Sequence, residues 1–182
     1  MKKLLLVVLI FFTFTATQAF AYNLKSFTSD AKIMSAMQLL MQNGETDVFR
    51  NLQKNAVKVK FYHLTMSNVY AANAYDEFGR RVILINSMYK DAPIEQIACL
   101  IAHESYHTAR KATLEEESLA TSKEASCWTK LRKKGVTYSQ TKLTKRLDKI
   151  AGLHLASIED GNNYIEDKIA NSSFYRSQFG LN

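Results

Sequence analysis

Two histidines and a glutamate in the run His103-Glu104-Ser105-Tyr106-His107 have the residue types and the spacing of a metal-dependent hydrolytic site. On a helix, side chains four positions apart project from one face, so both imidazoles can reach one ion at the ~2.0–2.1 Å typical of zinc. Glu104 lies ~100° around the helix, which places it poorly as a third ligand. It can instead take a proton from water, while zinc supplies Lewis acidity. The pattern predicts a zinc site with Glu104 as general base.

The elements around this motif are predicted from the period of the apolar residues. Helical spacing indicates helices over 30–42, 45–55, 91–111, 114–133, 141–155 and 158–170. Three runs, 57–61, 69–75 and 81–85, are typical of strands, and a hairpin turn is expected around Gly79. The order is helices, then a small antiparallel sheet, then an active-site helix with further helices around it. This order predicts an α+β fold.

The first 21 residues are typical of an export signal. Lys2 and Lys3 precede an apolar run, and Ala19 and Ala21 occupy the small-residue positions of a signal-peptidase site. We expect cleavage after Ala21, a single domain over 22–182, release to the periplasm or the medium, and no stable membrane insertion afterwards. Loss of the two lysines lowers the formal charge from +7 to +5, and this mild excess does not favour a nucleic-acid partner.

The histidine motif matches the signature of the zincin superfamily. Arg110 and Thr113 stand where the longer metzincin pattern has a glycine and a third histidine, which argues against that branch. The chain instead resembles a gluzincin. The succession of Asn73-Ala74, a glycine, an apolar strand and the histidine motif is similar to that of several gluzincin peptidase families, over residues 69–128. The resemblance implies a zincin-like fold, one zinc ion per chain, a peptide or protein substrate, and a third ligand on the next helix.

Four glutamates on the next helix are candidates for that third ligand: Glu115, Glu116, Glu117 and Glu124. Helical side chains lean toward their own N-terminus, and from position 124 this lean carries the carboxylate toward the metal. The Glu124-Ala125 pair also resembles a motif of small gluzincins. We therefore predict Glu124 as the ligand, with Glu117 as the alternative or as a partner of a ligand histidine. Glu115 and Glu116 are expected on a solvated face.

The remaining site residues are expected from the resemblance. In the resembling peptidases an extended substrate pairs with an edge strand, which assigns substrate binding to Asn73 and Ala74 on the strand at 69–75. A donor to the oxyanion is also needed. The sequence does not choose among Tyr106, Tyr138, Tyr164 and His154.

The two cysteines, Cys99 and Cys127, form an even pair in a chain expected to be exported. Cys99 lies one turn before His103, and Cys127 lies three residues after Glu124. If the two helices are antiparallel, both cysteines lie just beyond the metal, at the ~5.5 Å Cα separation that a bridge needs. The spacing predicts a disulfide, and buried free thiols are the alternative.

Together these features predict an exported zinc peptidase in which Glu104 is the general base. The alternative is a protein on a zincin-like fold that binds metal without catalysis, or that binds anionic surfaces through its basic helices. The sequence does not determine the natural substrate, the cleavage specificity or the oligomeric state.

Overall fold

The computed structural model describes residues 22–55, 57–109 and 111–179, and these form seven α-helices, two short 3-10 helices and one three-stranded sheet. The predicted export signal lies outside the described residues. The helices are α1 (Ala31–Gln42), α2 (Thr46–Lys54), α3 (Ile94–Ser105), α4 (Leu114–Leu131), α5 (Lys142–Asp160), α6 (Tyr164–Ala170) and α7 (Ser173–Phe179). The strands are β1 (Lys58–Tyr62), β2 (Ala71–Tyr75) and β3 (Arg81–Asn86). The predicted α+β class is confirmed.

Short polar side chains fix where the main helices begin. Asp30 accepts hydrogen bonds from the amides of Lys32 and Ile33 at 2.9 and 3.1 Å, which caps α1. Thr113 and Thr141 cap α4 and α5 in the same way. Gly161 ends α5 in the left-handed region, with φ of 73°.

The sheet is mixed, so the prediction of an antiparallel sheet is wrong in one of its two pairings. The strand order is β1-β3-β2: β2 and β3 form the predicted antiparallel hairpin, but β1 runs parallel to β3. The physical reason lies in β3, where Val82, Ile83 and Ile85 are all buried. A strand that is apolar on both faces is best covered in the middle of a sheet. The hairpin partner β2 is consequently an edge strand.

Helix α3 is the central element of the fold. Every residue from Glu95 to Ser105 is buried, and the helix packs between α1 and α4, with β3 and β2 beside it. Its apolar side chains, including Ile97 and Ile101, join those of α1, α2, α4 and the sheet in one hydrophobic core. The first three residues of the histidine motif, His103 to Ser105, therefore lie on a helix that is buried along almost its whole length.

Helix α3 ends at Ser105, earlier than the predicted end at residue 111. The amides of Tyr106 and His107 donate to carbonyls three residues back, at 3.1 and 3.3 Å, which tightens the last turn. The following segment leaves the helical path because it finds other partners. The Tyr106 hydroxyl donates to Asp47 on α2, and the Thr108 amide donates to Glu116 on α4 at 2.6 Å.

Candidate metal centre

The structure brings His103, His107 and Glu117 together in one buried cluster in which each residue offers a ligand atom. The Nε2 atoms of the two histidines are 3.1 Å apart. Each Glu117 oxygen lies 3.5 Å from one of these nitrogens, Oε1 from His103 and Oε2 from His107. Zinc bonds of ~2.0–2.1 Å give a tetrahedron with edges of about 3.4 Å. Each histidine nitrogen therefore has a different Glu117 oxygen at about this distance, and one ligand atom from each residue lies within 4.8 Å of the other two.

Glu124, the predicted third ligand, lies behind His103 and does not reach this cluster. Its Oε2 is 3.0 Å from His103 Nδ1, the ring nitrogen on the far side from Glu117. Its other oxygen is bound by the Arg146 guanidinium. Despite burial, Arg146 and His103 lower the Glu124 pKa to about 2. The contact is an ion pair and not a hydrogen bond, and a charged carboxylate in this place is positioned to orient the imidazole. The structure therefore reverses the predicted positions of the two glutamates, since Glu117 faces the Nε2 atoms and Glu124 lies behind His103.

The reversal has a geometric cause in the connection between α3 and α4. The lean of a helical side chain selects position 124 only if the two helices form a tight hairpin. Because α3 ends at Ser105 and α4 begins at Leu114, the connection spans residues 106–113. The wider turn brings the first turn of α4 to the histidines, and position 124 lies about two turns further along.

Glu116 was expected on a solvated face, and this expectation is wrong. Its Oε1 accepts hydrogen bonds from the amide and the hydroxyl of Thr108, at 2.6 and 2.9 Å. Its Oε2 lies 3.5 Å from His107 Nδ1. Glu116 thus stands behind His107 as Glu124 stands behind His103. Three carboxylates of α4 surround the two imidazoles, whereas Glu115 is exposed as predicted.

This carboxylate excess determines the charge of His103. Burial disfavours the protonated imidazole, but Glu124, Glu104 and Glu117 outweigh burial and raise its pKa to about 9. The metal-free cluster therefore carries a proton on His103 at neutral pH. A ligating imidazole must be neutral, so a metal ion would replace this proton. A buried group of imidazoles and carboxylates offers the nitrogen and oxygen donors preferred by zinc.

Glu104 is 6% exposed and faces the hairpin strands. Its Oε2 accepts a hydrogen bond of 2.6 Å from Asn73 Nδ2, and Asn73 Oδ1 accepts one of 2.8 Å from Arg81. Burial raises the pKa of Glu104, while His103 and His107 oppose this rise. The residue therefore combines basicity with a fixed orientation, as a general base needs.

A cleft of about 380 Å³ opens onto this cluster, which falls in the usual range for a small ligand site. One wall is the segment 68–73, which ends in β2; another is formed by Phe174 and Tyr175 of α7. Asn73 lines the cleft, whereas Ala74, predicted with it, is not part of the lining. No residue of α7 was predicted to contribute to the site. The adjacent aromatic residues Phe174 and Tyr175 are the sequence feature that could have indicated this contribution.

The register of the hairpin determines which backbone groups of β2 are directed away from the sheet. Asn86 donates to the Tyr70 carbonyl and Asp76 donates to the Arg80 carbonyl, both at 2.9 Å. Bonded pairs alternate along an antiparallel ladder, so Ala72 also bonds to β3. The backbone groups of Ala71 and Asn73 are directed to the free edge. A peptide that extends the sheet would pair with these two residues.

The four suggested oxyanion donors lie outside the described cleft lining. Tyr106 is bonded to Asp47, the Tyr138 hydroxyl accepts from the Lys133 amide, Tyr164 donates to Asp160, and His154 is half-buried on α5. The cleft instead contains Tyr175. Its hydroxyl donates to Glu117 Oε1 at 2.7 Å.

Cys99 and Cys127 are both fully buried free thiols. Burial, followed by a hydrogen bond with the Cys127 side chain, raises the pKa of the Cys99 thiol well above its usual value. Helices α3 and α4 therefore bring the two side chains together as predicted. The disulfide itself stays a prediction.

No protein family, curated protein or solved structure matches the chain. Among the described residues, no helix is long and apolar enough to cross a membrane.

Proposed function

We propose that this protein is an exported zinc-dependent peptidase with a zincin-like fold. The observation that carries the proposal is the convergence of three buried residues: the Nε2 atoms of His103 and His107 are 3.1 Å apart, and each lies 3.5 Å from one oxygen of the Glu117 carboxylate. The cleft beside them supports a hydrolytic role, because a site with three protein ligands leaves a position for water or substrate. A purely structural zinc site usually has four protein ligands.

The chain's own residues divide the chemistry among them. His103, His107 and Glu117 would hold the ion, while Glu124 and Glu116 orient the two imidazoles. When bound, zinc supplies the Lewis acidity that polarises a peptide carbonyl and acidifies an attacking water. Glu104 takes the proton from that water and passes it to the leaving amine.

Substrate would lie along the free edge of β2. The backbone groups of Ala71 and Asn73 can pair with an extended peptide, which gives affinity that tolerates many sequences. The Tyr175 hydroxyl donates its one proton to Glu117 Oε1, and as the candidate donor to the oxyanion it would turn this proton from the carboxylate to the substrate. Both assignments concern groups that line the cleft.

The proposal is tested by zinc content and turnover in the same preparations of residues 22–182. We expect about one zinc per chain, cleavage of an unfolded protein such as β-casein, loss of cleavage with a chelator and recovery with zinc. Glu104→Gln should keep the zinc and lose the cleavage. Zinc binding without cleavage in the parent protein would favour the metal-binding alternative, and cleavage retained by Glu104→Gln would refute the mechanism.

A further inference from the structure

Asn73 on β2 and Arg81 on β3 meet Glu104 at the end of α3. We propose that Asn73 and Arg81 position the Glu104 carboxylate, so that Asn73 acts on the general base rather than on the substrate. The inference rests on the proposed function, because it takes Glu104 as the base. The predicted pairing of an extended peptide with Asn73 uses the backbone of this residue, so it is compatible with this role of the side chain.

The hydrogen-bonding capacity of Asn73 carries the argument. Its Nδ2 has two hydrogens, and it donates to Glu104 Oε2 at 2.6 Å and to the Glu104 carbonyl at 3.0 Å. Both donors are therefore used, and none remains for a substrate carbonyl.

Arg81 fixes which way the Asn73 amide faces. A guanidinium can only donate, so the atom 2.8 Å from Arg81 Nη2 must be the amide oxygen, and the amide nitrogen must face Glu104. The same Nη2 lies 3.4 Å from the Glu104 carbonyl. Arg81 is only 6% exposed, and burial holds this arrangement in place.

A purely structural role would be capping of α3. The Glu104 carbonyl is one of the last four of the helix and accepts only a 3.3 Å bond from the His107 amide within the last turn, so the bond from Asn73 does help to cap it. Capping, however, does not require the second bond. The 2.6 Å contact to Oε2 is a charge-assisted bond to the side chain. One amide thus holds both the backbone and the carboxylate of Glu104.

A positioned base and a substrate contact have different kinetic signatures. Misplacement of a reacting group by about 1 Å costs about 100-fold in rate, so Asn73→Ala should lower kcat by about 10–100-fold with an unchanged KM. Loss of a substrate contact would instead raise KM. Arg81 acts through Asn73, so Arg81→Met should lower kcat in the parent protein and add little in the Asn73→Ala background.

The first experiment measures kcat and KM for fluorescein-labelled β-casein, together with zinc affinity by chelator competition. Asn43→Ala is the matched control, because this exposed asparagine also donates to a carbonyl at a helix end, Leu39 at 2.9 Å, far from the cleft. We expect a lower kcat only in Asn73→Ala, with zinc affinity unchanged in both variants. A raised KM with kcat preserved would overturn the inference.

The second experiment does not require turnover. In ¹⁵N-labelled protein, both side-chain amide protons of Asn73 should be protected from solvent exchange, and Glu104→Ala should expose one of them. Rapid exchange of both protons, followed by protection when β-casein is added to Glu104→Gln, would place the amide on the substrate and overturn the inference. If the parent protein binds zinc but cleaves no casein, the peptidase proposal fails, whereas the exchange result still decides the role of Asn73.

Discussion

Exchanging Glu117 or Glu124 for glutamine separates a metal ligand from a residue that supports one. Four-ligand structural zinc sites bind with about 10–16 kcal/mol, or about 3 kcal/mol per ligand. Glu117→Gln should therefore weaken zinc binding by at least about 100-fold. Glu124 lies behind His103, at 3.0 Å from Nδ1. Loss of such a partner typically costs about 10–100-fold, and we expect the lower end because the imidazole itself stays in place.

The two variants should have the opposite order of effect on the stability of the metal-free protein: Glu124→Gln should destabilise it more than Glu117→Gln. Glu124 is fully buried and neutralises Arg146, whose side chain keeps 22% exposure. Glu124→Gln leaves this cation uncompensated, which costs about 3 kcal/mol, the lower end of the range for a broken buried pair. For a domain of this size, the loss corresponds to a Tm lower by roughly 6–12 °C. Glu117→Gln can keep the hydrogen bond with Tyr175, so its Tm should change little.

Chelator competition measures the zinc affinity, and thermal unfolding with chelator present measures the stability. Glu115→Gln is the control, because it makes the same change at an exposed position of α4. If Glu124→Gln abolishes zinc binding and Glu117→Gln leaves it intact, the ligand assignment made from the structure is refuted.

Three further predictions concern pH, the edge strand and the thiols. The pKa of His103 is about 9 in the folded protein, compared with a reference value of 6.5. Protonation of His103 therefore stabilises the metal-free protein by about 3 kcal/mol, and this contribution is complete below pH 6.5 and is lost as the pH rises through 9. Denaturant unfolding of chelated protein measures it, and a flat profile would contradict the charge assignment. Ala71→Pro should raise the KM for β-casein and leave the Tm close to that of the parent protein. Ala72→Pro should instead lower the Tm, because it removes a hydrogen bond to β3. Equal losses of Tm in the two variants would contradict the assigned register of β2 on β3. Titration of unfolded, unreduced protein should find no free thiol if Cys99 and Cys127 are bridged, and two thiols would end that prediction.

The local part of the site could be predicted from the sequence because it depends on spacing within one helix. The separation of His103 and His107 brings their Nε2 atoms together whatever surrounds them, and this held although the helix ends at Ser105. The hairpin of β2 and β3 was equally local, since its turn lies around Gly79. The parallel pairing of β1 with β3 was not local, because it depends on which distant segment of the chain packs beside β3.

Which of Glu117 and Glu124 lies at the Nε2 atoms of the histidines was decided only by the tertiary structure. Both lie on one face of α4, and their order at the metal depends on how far the connection 106–113 shifts α4 along α3. The contacts that set this shift, between Tyr106 and Asp47 and between Thr108 and Glu116, join residues from separate elements. Sequence spacing fixes which side chains share a helix face, whereas the contacts between helices fix which of them reaches a given point.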